Sequence, residues 1–168
     1  MLSPTVRLHQ NVSAIAWAYL AGVIEGDGTI SISAHKTGIT LDVLVSNGNL
    51  RLLEWIQQTV GGGIKEKSSR GQLGHSMLFQ WVIKQKDSAR LCKQLLPYLV
   101  GKRNQATLLI EAQELRDYWG KRRPRLIRTR LREIAQECSW WNTQGWRADN
   151  AEDPPQHDSG PSQMKLVV

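Results

Sequence analysis

The sequence predicts an α+β fold, and three observations favour it. Four segments alternate polar and apolar residues with a period of two, as half-buried strands do. Segments with helical spacing precede, separate and follow these strands, so the predicted order is a helix, two strands, a helix, two strands and further helices. No long crossover is present except around the second helix, so a doubly wound parallel sheet is not expected.

The first helix, predicted over residues 13–26, carries a stripe of small side chains. They recur every four positions and therefore share one face of the helix. The residues of this stripe are Ala14, Ala18, Gly22 and Gly26. Another backbone can approach such a face closely. Gly28, directly after the helix, is expected to end it in the left-handed conformation.

The strands are predicted from the alternation of apolar and polar residues. Their ranges are about 29–36, 39–46, 64–69 and 76–84. In the second strand Leu44 interrupts an otherwise polar face. Which face of the third strand turns outward is not decided by the sequence. Ile64 inside would direct Lys65 and Lys67 outward, whereas a bulge after the three preceding glycines would reverse this.

The later helices are predicted over about residues 49–60, 87–96, 102–119 and 133–141. Ser46 or Asn47 can cap the first of these, Asp87 can cap the second, and Lys102 opens the third. Between the last two, residues 121–132 hold seven basic residues and no acid. This segment can clamp a phosphate backbone or form a solvated helix face.

The charge of the chain favours a polyanionic partner. Its 168 residues include 22 Lys and Arg against 15 Asp and Glu, a net charge of +7, and nucleic acid is the first candidate for the partner. Cys92 and Cys138 lack the spacing of a zinc module or a disulfide scaffold. The longest apolar run, residues 14–24, is too short to span a bilayer, and no signal-peptide cleavage site follows it. An intracellular protein that does not bind membranes is expected.

Two carboxylates at the end of the first helix form the candidate chemical site. Glu25 and Asp27 stand at the negative end of the helix dipole, where a cation should offset them. If the small stripe packs helix against helix in a symmetric pair, a second Asp27 arrives at the same place, and Mg²⁺ would relieve the repulsion. Two such ions suit in-line attack on a phosphodiester. From the residues alone another interpretation stays open, in which Asp27 only begins a turn before Gly28.

The same residues carry a family resemblance. Residues 20–28 read LAGVIEGDG, which resembles the motif of the LAGLIDADG homing endonucleases over nine contiguous positions. Around the acidic positions of the motif, the sequence departs from the name at Glu25, where the name has Asp, and at Gly26, where it has Ala. The order of elements over residues 13–142 is also similar to that of the family domain. The resemblance implies the LAGLIDADG endonuclease fold, in which two antiparallel hairpins form a saddle in the DNA major groove.

Metal binding and dimerisation are also implied by the resemblance. Asp27 and the main-chain carbonyl of Gly26 would bind catalytic Mg²⁺, with two or three ions in each dimer active site. Because the chain has one motif, two subunits would pack as a homodimer through their motif helices, which would explain the small stripe. The expected interface residues are Ala14, Ala18, Ala21, Gly22, Glu25 and Gly26.

Two further catalytic roles follow from the resemblance. Lys102 matches the position of a basic residue near the attacking water, where its role would be electrostatic. As a sequence feature alone, Lys102 is a solvated lysine at a helix start. A polar residue that holds solvent near the metal falls at Val45, Ser46 or Asn47, and we assign this role to Ser46.

The polar faces of the four strands are expected to contact DNA, although each could also be an ordinary solvated face. Base-edge contacts are expected from Thr29, Ser31, Ser33, His35, Thr40, Asp42, Ser76 and Gln80. Phosphate or guanine contacts are expected from Lys36, Lys65, Lys67, Arg70 and Lys84.

The predicted function is a Mg²⁺-dependent, site-specific DNA endonuclease that cuts a long pseudo-palindromic target, leaves short 3′ overhangs and promotes intron homing. An intron maturase that binds RNA and a non-cleaving DNA-binding protein of the same fold stay open as alternatives. The expected organisation is an extension over residues 1–12, an endonuclease domain over 13–146 with a basic helical part from 121, and a disordered tail over 147–168. A bacterial or phage cytoplasm and an organelle are equally compatible locations.

Overall fold

The computed structural model describes residues 12–36, 38–67 and 78–143, and it confirms the predicted α+β class. The elements in chain order are α1 (Ala14–Asp27), β1 (Gly28–His35), β2 (Gly38–Asn47), α2 (Leu50–Val60), β3 (Gly63–Lys67), β4 (Leu78–Lys84), α3 (Gln85–Leu95), α4 (Arg103–Trp119) and α5 (Arg125–Thr143). The predicted tail and nearly all of the predicted extension lie outside the described residues.

The four strands form one antiparallel sheet in the order β1-β2-β4-β3. Successive side chains alternate between its two faces. On the covered face, against which the helices pack, Ile30, Val43 and Ile83 meet across three strands and are buried. The opposite face, here called the open face, carries the polar residues of the predicted strands. The period-two pattern of the sequence therefore separated the two faces correctly.

The three consecutive glycines after α2 make room for the largest buried side chain of the sheet. Trp81 is fully buried, and its indole Nε1 donates a hydrogen bond to the carbonyl of Gly61 at 2.7 Å. A Cβ at Gly62 would lie 2.6 Å from that nitrogen, and the residue has a positive φ of 89°. Both the close approach and the backbone conformation therefore require glycine.

The helix α5 covers the outer edge of β1. The side-chain amide of Asn142 donates to the carbonyl of Ile30 at 2.9 Å, and Cys138 is buried beside the same strand. An edge carbonyl that would otherwise face solvent is thereby satisfied. Among the described helices, none combines the length and apolar character that a bilayer-spanning segment requires.

The end of α1 differs from its prediction. Gly28 is extended, with φ −92° and ψ 163°, and not left-handed, because the chain passes directly from α1 into β1. Glycine is needed there for a different reason. A Cβ at this position would lie 2.7 Å from the Cα and the carbonyl oxygen of Ile24.

The starts of three later helices also differ. Asn49 caps α2 by accepting a hydrogen bond from the Leu52 amide at 3.4 Å, because β2 continues as far as Asn47 and leaves Ser46 and Asn47 inside the strand. α3 begins directly after β4, so Asp87 lies in its first turn and does not cap it. α5 begins within the basic segment, which is therefore partly helical.

Candidate functional site

The carboxyl end of α1 brings three separate parts of the chain together. Asp27 is its last residue, and the end of β2 and the loop between α3 and α4 contact the same turn of helix. This convergence places Asn47 and Lys102 next to the motif residues. A single turn of α1 is therefore the centre of the candidate site.

The carboxylate of Asp27 is exposed and is oriented by β2. Its Oδ2 accepts a hydrogen bond from the side-chain amide of Asn47 at 2.7 Å. The other end of that amide, Oδ1, accepts from the backbone N–H of Asn49 at 2.7 Å. Since the Asn49 donor requires an acceptor, the amide nitrogen of Asn47 must point to Asp27. Asp27 thus has a defined orientation before any ligand binds.

The structure places Asn47, and not Ser46, beside the motif acid. Ser46 lies on the open face, where its hydroxyl accepts a hydrogen bond from Gln80 at 3.1 Å, and Val45 is buried. Of the three residues considered for the solvent-holding role, Asn47 and not Ser46 therefore contacts the motif acid. Strand alternation could have indicated this, because Asn47 shares its parity with the buried Val45 on the side where α1 packs.

Lys102 supplies the cation that the end of α1 needs. Its Nζ donates to the main-chain carbonyls of Ile24 at 2.7 Å, Glu25 at 2.8 Å and Gly28 at 2.7 Å. Two of these carbonyls, those of Ile24 and Glu25, lie in the last turn of α1 and carry the negative end of its dipole. Burial lowers the pKa of Lys102 from its ordinary value, while the Glu25 and Asp27 carboxylates act in the opposite direction.

Glu25 completes a two-way contact between α1 and the loop before α4. Its Oε1 accepts hydrogen bonds from the backbone N–H of Val100 at 2.8 Å and of Lys102 at 3.2 Å. A Cβ at Gly101 would lie 3.0 Å from Oε2 of the same carboxylate. Glu25 and Lys102 together are here called the helix–loop clamp. The clamp holds the turn that precedes Asp27.

The oxygen atoms available at this turn fit a hard divalent cation in kind but not in number. Carboxylate and carbonyl oxygens are the ligands that Mg²⁺ prefers. Lys102 binds the carbonyls of Ile24, Glu25 and Gly28, but not that of Gly26. Among the described residues no group of three or more His, Cys, Asp or Glu could hold a metal ion. The described oxygen atoms of one chain therefore supply only some of the ligands that such a cation needs.

The outer side of α1 is apolar and exposed in the part of the chain that the structure describes. Ala14, Ala18, Gly22 and Gly26 are all exposed, and nothing lies within 4 Å of a Cβ built at either glycine. Beside this stripe Ile15 is 83% exposed and Tyr19 is 55% exposed.

Two of the predicted interface residues face the chain's own fold. Ala21 is 1% exposed and packs in the core, and the carboxylate of Glu25 is bound to the loop before α4. The small stripe is therefore the part of the predicted interface that is accessible to another chain.

The open face of the sheet collects the predicted DNA-contacting residues of all four strands. The members that the structure describes on this face are Thr29, Ser31, Ser33, His35, Thr40, Asp42, Lys65, Lys67, Gln80 and Lys84. Lys36 lies in the turn between β1 and β2. Arg70 and Ser76 lie outside the described residues.

The pairing of β3 with β4 settles which side of β3 faces outward. Ile64 pairs with the buried Trp81, and Lys65 pairs with Gln80 on the open face. No bulge separates these pairs, so Lys65 and Lys67 point away from the helices. Both lysines are exposed. The open side of β3 is therefore strongly basic.

Among the described residues, few hydrogen bonds join the side chains of the open face. The ring Nε2 of His35 and the hydroxyl of Thr40 are 3.2 Å apart, and Gln80 donates to Ser46. Oδ1 of Asp42 is buried without a hydrogen-bond partner among the described residues, although Lys84 is its cross-strand neighbour. The face is thus rich in polar groups that the fold itself does not use.

Structural comparison finds homing endonucleases. I-CvuI, in complex with I-CreI target DNA in the presence of Mg, has a TM-score of 0.63 at 20% identity over 76% of this chain and 82% of that chain. The archaeal intron-encoded homing endonuclease I-Vdi141I, complexed with DNA, has a TM-score of 0.66 at 19% identity over 78% and 86%.

A third match is longer than this chain. The LAGLIDADG meganuclease I-AabMI, bound to uncleaved DNA, has a TM-score of 0.58 at 25% identity over 71% of this chain and 43% of that chain. At the level of sequence, no family model and no curated protein matches.

Proposed function

Because the chain has the fold of the LAGLIDADG homing endonucleases, we propose that it is a site-specific, Mg²⁺-dependent DNA endonuclease that acts as a homodimer. The observation that carries this proposal is the position of Asp27. An exposed, oriented carboxylate stands at the end of a helix with an uncovered small-residue stripe, beside a polar and basic sheet face. The likeness to proteins solved with DNA supports the choice of DNA as substrate.

The small number of metal ligands in one chain supports a homodimer. If two α1 helices pack through Ala14, Ala18, Gly22 and Gly26, their carboxyl ends meet, and the two copies of Asp27 come together. Small side chains permit the close helix contact that this requires. The dimer would then offer two carboxylates and two Gly26 carbonyls, twice the ligands of one chain.

The residues of the helix end then have separate roles. Asp27 and the carbonyl of Gly26 would hold Mg²⁺, which when bound supplies Lewis-acid stabilisation of charge at a phosphodiester. Asn47 orients the Asp27 carboxylate through its 2.7 Å hydrogen bond. Lys102 and Glu25 fix the turn that carries Asp27, so we assign them positioning roles. Lys102 also adds positive charge beside the scissile phosphate.

The open face would lie in the major groove of the target. Hydroxyl and amide side chains on β1, β2 and β4 supply donors and acceptors for base edges, and Lys65, Lys67 and Lys84 supply phosphate contacts. A homodimer would read a long pseudo-palindromic site. Short 3′ overhangs, a role in intron homing and an intracellular location complete the proposal by likeness to the family.

A cleavage assay tests this proposal. Wild-type protein, Asp27→Asn and a matched control, Asp117→Asn, are incubated with a pooled library of candidate insertion sequences, and the ends are sequenced. Asp117 lies near the end of α4, where it accepts a hydrogen bond from Gln113 at 2.9 Å, remote from the motif turn.

We expect wild type and Asp117→Asn to cut one long site with Mg²⁺ and not with EDTA. Asp27→Asn should lose at least about 100-fold in cutting while still binding the site in Ca²⁺. Tight specific binding without any cut by the wild type would instead indicate a non-cleaving protein. Preferential binding of intron RNA would indicate a maturase.

A further inference from the structure

Two apolar side chains stand in the middle of the mostly polar open face, which also carries the apolar Leu78 opposite Lys67. Leu44 on β2 and Val82 on β4 are direct cross-strand neighbours, and both are half-buried. Neither belongs to the hydrophobic core or to the partly buried side chains that pack against it. The two residues, here called the Leu44–Val82 pair, therefore have an apolar surface outside the core that the structure describes.

The residues in line with the pair leave it accessible. Thr29 pairs with Leu44 on one side, and Gly63 pairs with Val82 on the other. A Cβ built at Gly63 would meet nothing within 4 Å, so there is open space beside Val82. A small group that approaches the open face can thus reach both apolar side chains.

The charged residues on either side of the pair show what kind of partner fits. On the open face, the next set of cross-strand neighbours on one side contains Lys84, and the next set on the other side contains Lys65. An apolar patch between lysines suits a polyanion that carries small apolar groups, and it does not suit the apolar surface of another protein. On the edges of bases in the major groove of DNA, the C5-methyl of thymine is the apolar group.

We propose that the Leu44–Val82 pair contacts the methyl group of a thymine, so that it requires an A·T pair at one position in each half of the target. This inference rests on the proposed function, because it takes the open face to lie in the major groove. Leu44 is three residues from Asn47, which contacts Asp27. The thymine therefore lies closer to the cut than the bases that Ser33 and His35 contact.

Deoxyuridine substitution tests the contact without altering the protein. The target is first selected from a randomised library with the wild type, and each thymine is then replaced singly by deoxyuridine, which pairs alike but lacks the methyl group. Binding is measured in Ca²⁺.

We expect one thymine in each half-site at which the replacement weakens binding about fourfold, the factor that burial of one methyl-sized group supplies. Replacement in both half-sites should weaken binding about 15-fold, because distant sites add.

Two protein variants separate this contact from a structural role of the pair. In Leu44→Ala, deoxyuridine at that position should no longer weaken binding. The effect of deoxyuridine at other positions should stay unchanged. Leu44→Asn should shift the base preference at that position alone, because Asn pairs with adenine in the major groove. Thermal unfolding and binding to non-specific DNA confirm that each variant is folded.

The outcomes distinguish this inference from the proposed function. If no sequence is selected from the library, the proposed function fails. If a site is selected and cut but no deoxyuridine weakens binding, only the methyl contact is wrong. The same holds if deoxyuridine still weakens binding of Leu44→Ala. The methyl contact would also be overturned if deoxyuridine weakened binding only at a thymine far from the cut and the Leu44 variants did not change this effect.

Discussion

The two faces of the sheet differ because the described helices pack against only one of them. The covered face carries a continuous core that includes Ile30, Val43 and Trp81, whose side chains are fully buried. The open face carries hydroxyls, amides and lysines that make few contacts within the chain. Stability should therefore depend on the covered face, and recognition on the open face. Variants on neighbouring residues of the same strand can test this division.

The largest effect on stability is expected at Trp81. Trp81→Ala removes the largest fully buried side chain and its 2.7 Å hydrogen bond to Gly61, so the free energy of unfolding should fall by about 3–5 kcal/mol. The matched variant Val82→Ala, one residue away on the open face, should cost about 1 kcal/mol or less. Urea unfolding measures both. Equal losses would contradict the division of the faces.

The helix–loop clamp lies at the end of α1, next to Asp27. Lys102→Met removes three hydrogen bonds from one ammonium group to carbonyls, and we expect a loss of about 2 kcal/mol in the free energy of unfolding. Lys93→Met is the control, because its exposed ion pair with Glu114 at 2.7 Å should contribute about 0–1 kcal/mol. Denaturant midpoints that match between Lys102→Met and wild type would show that the clamp does not stabilise α1.

The buried thiols of the covered side predict a loss of stability in alkali. Burial raises the pKa of Cys138 to about 12, and burial together with Cys138 raises that of Cys92 further. In the unfolded state a thiol has a pKa of about 8.5, so above that pH the unfolded state has fewer protons than the folded state. The free energy of unfolding should then fall by up to about 1.4 kcal/mol per pH unit for each thiol.

Urea unfolding between pH 8 and pH 10 in wild type and Cys92→Ala measures this slope. The variant should show a shallower fall, because one of the two thiols is gone. The comparison of slopes removes the contribution of other groups that titrate in alkali. Identical slopes would mean that Cys92 does not contribute.

The smallest effect on stability is expected for the lysines of β3. Lys65 and Lys67 are exposed on the open face, so replacing both by Gln should change the free energy of unfolding by less than about 0.5 kcal/mol. On the proposed function, the dependence of log affinity on log salt should become shallower by about 0.9 for each phosphate that a lysine no longer neutralises. The control replaces Lys86 and Lys93 on α3 by Gln and should keep the wild-type salt slope.

Much of the fold could be predicted from the sequence, because strand alternation and helical spacing depend only on residues that are close together in the chain. The period-two alternation of the strands identified both faces of the sheet, including Leu44 on the open face. The helical spacing of small residues identified the exposed stripe on α1. Errors concentrated where one element passes directly into another, as at Gly28 and at the start of α3. At these two places no loop separates the helix from the strand, so the residue expected to cap the helix does not adopt the expected role.

The candidate site was only partly predictable. The motif placed Asp27 at the end of a helix, and the dipole argument required a cation there, but Lys102 is remote in sequence and its three carbonyl partners were not foreseen. Asn47 was one of three candidates, and strand parity would have selected it over Ser46. No local signal indicated that Glu25 binds the backbone of the loop before α4.

The sequence by itself determined the class of fold, the separation of polar and apolar faces and the motif acid, because each depends on periodicity or on neighbouring residues. Only the tertiary structure decided which side chains surround Asp27, which side of β3 faces outward and which part of α1 is accessible. These features depend on contacts between residues that are distant in the chain, such as Glu25 and Lys102, which are 77 positions apart. Such contacts leave no periodic trace in the sequence, since they arise only when separate elements pack together.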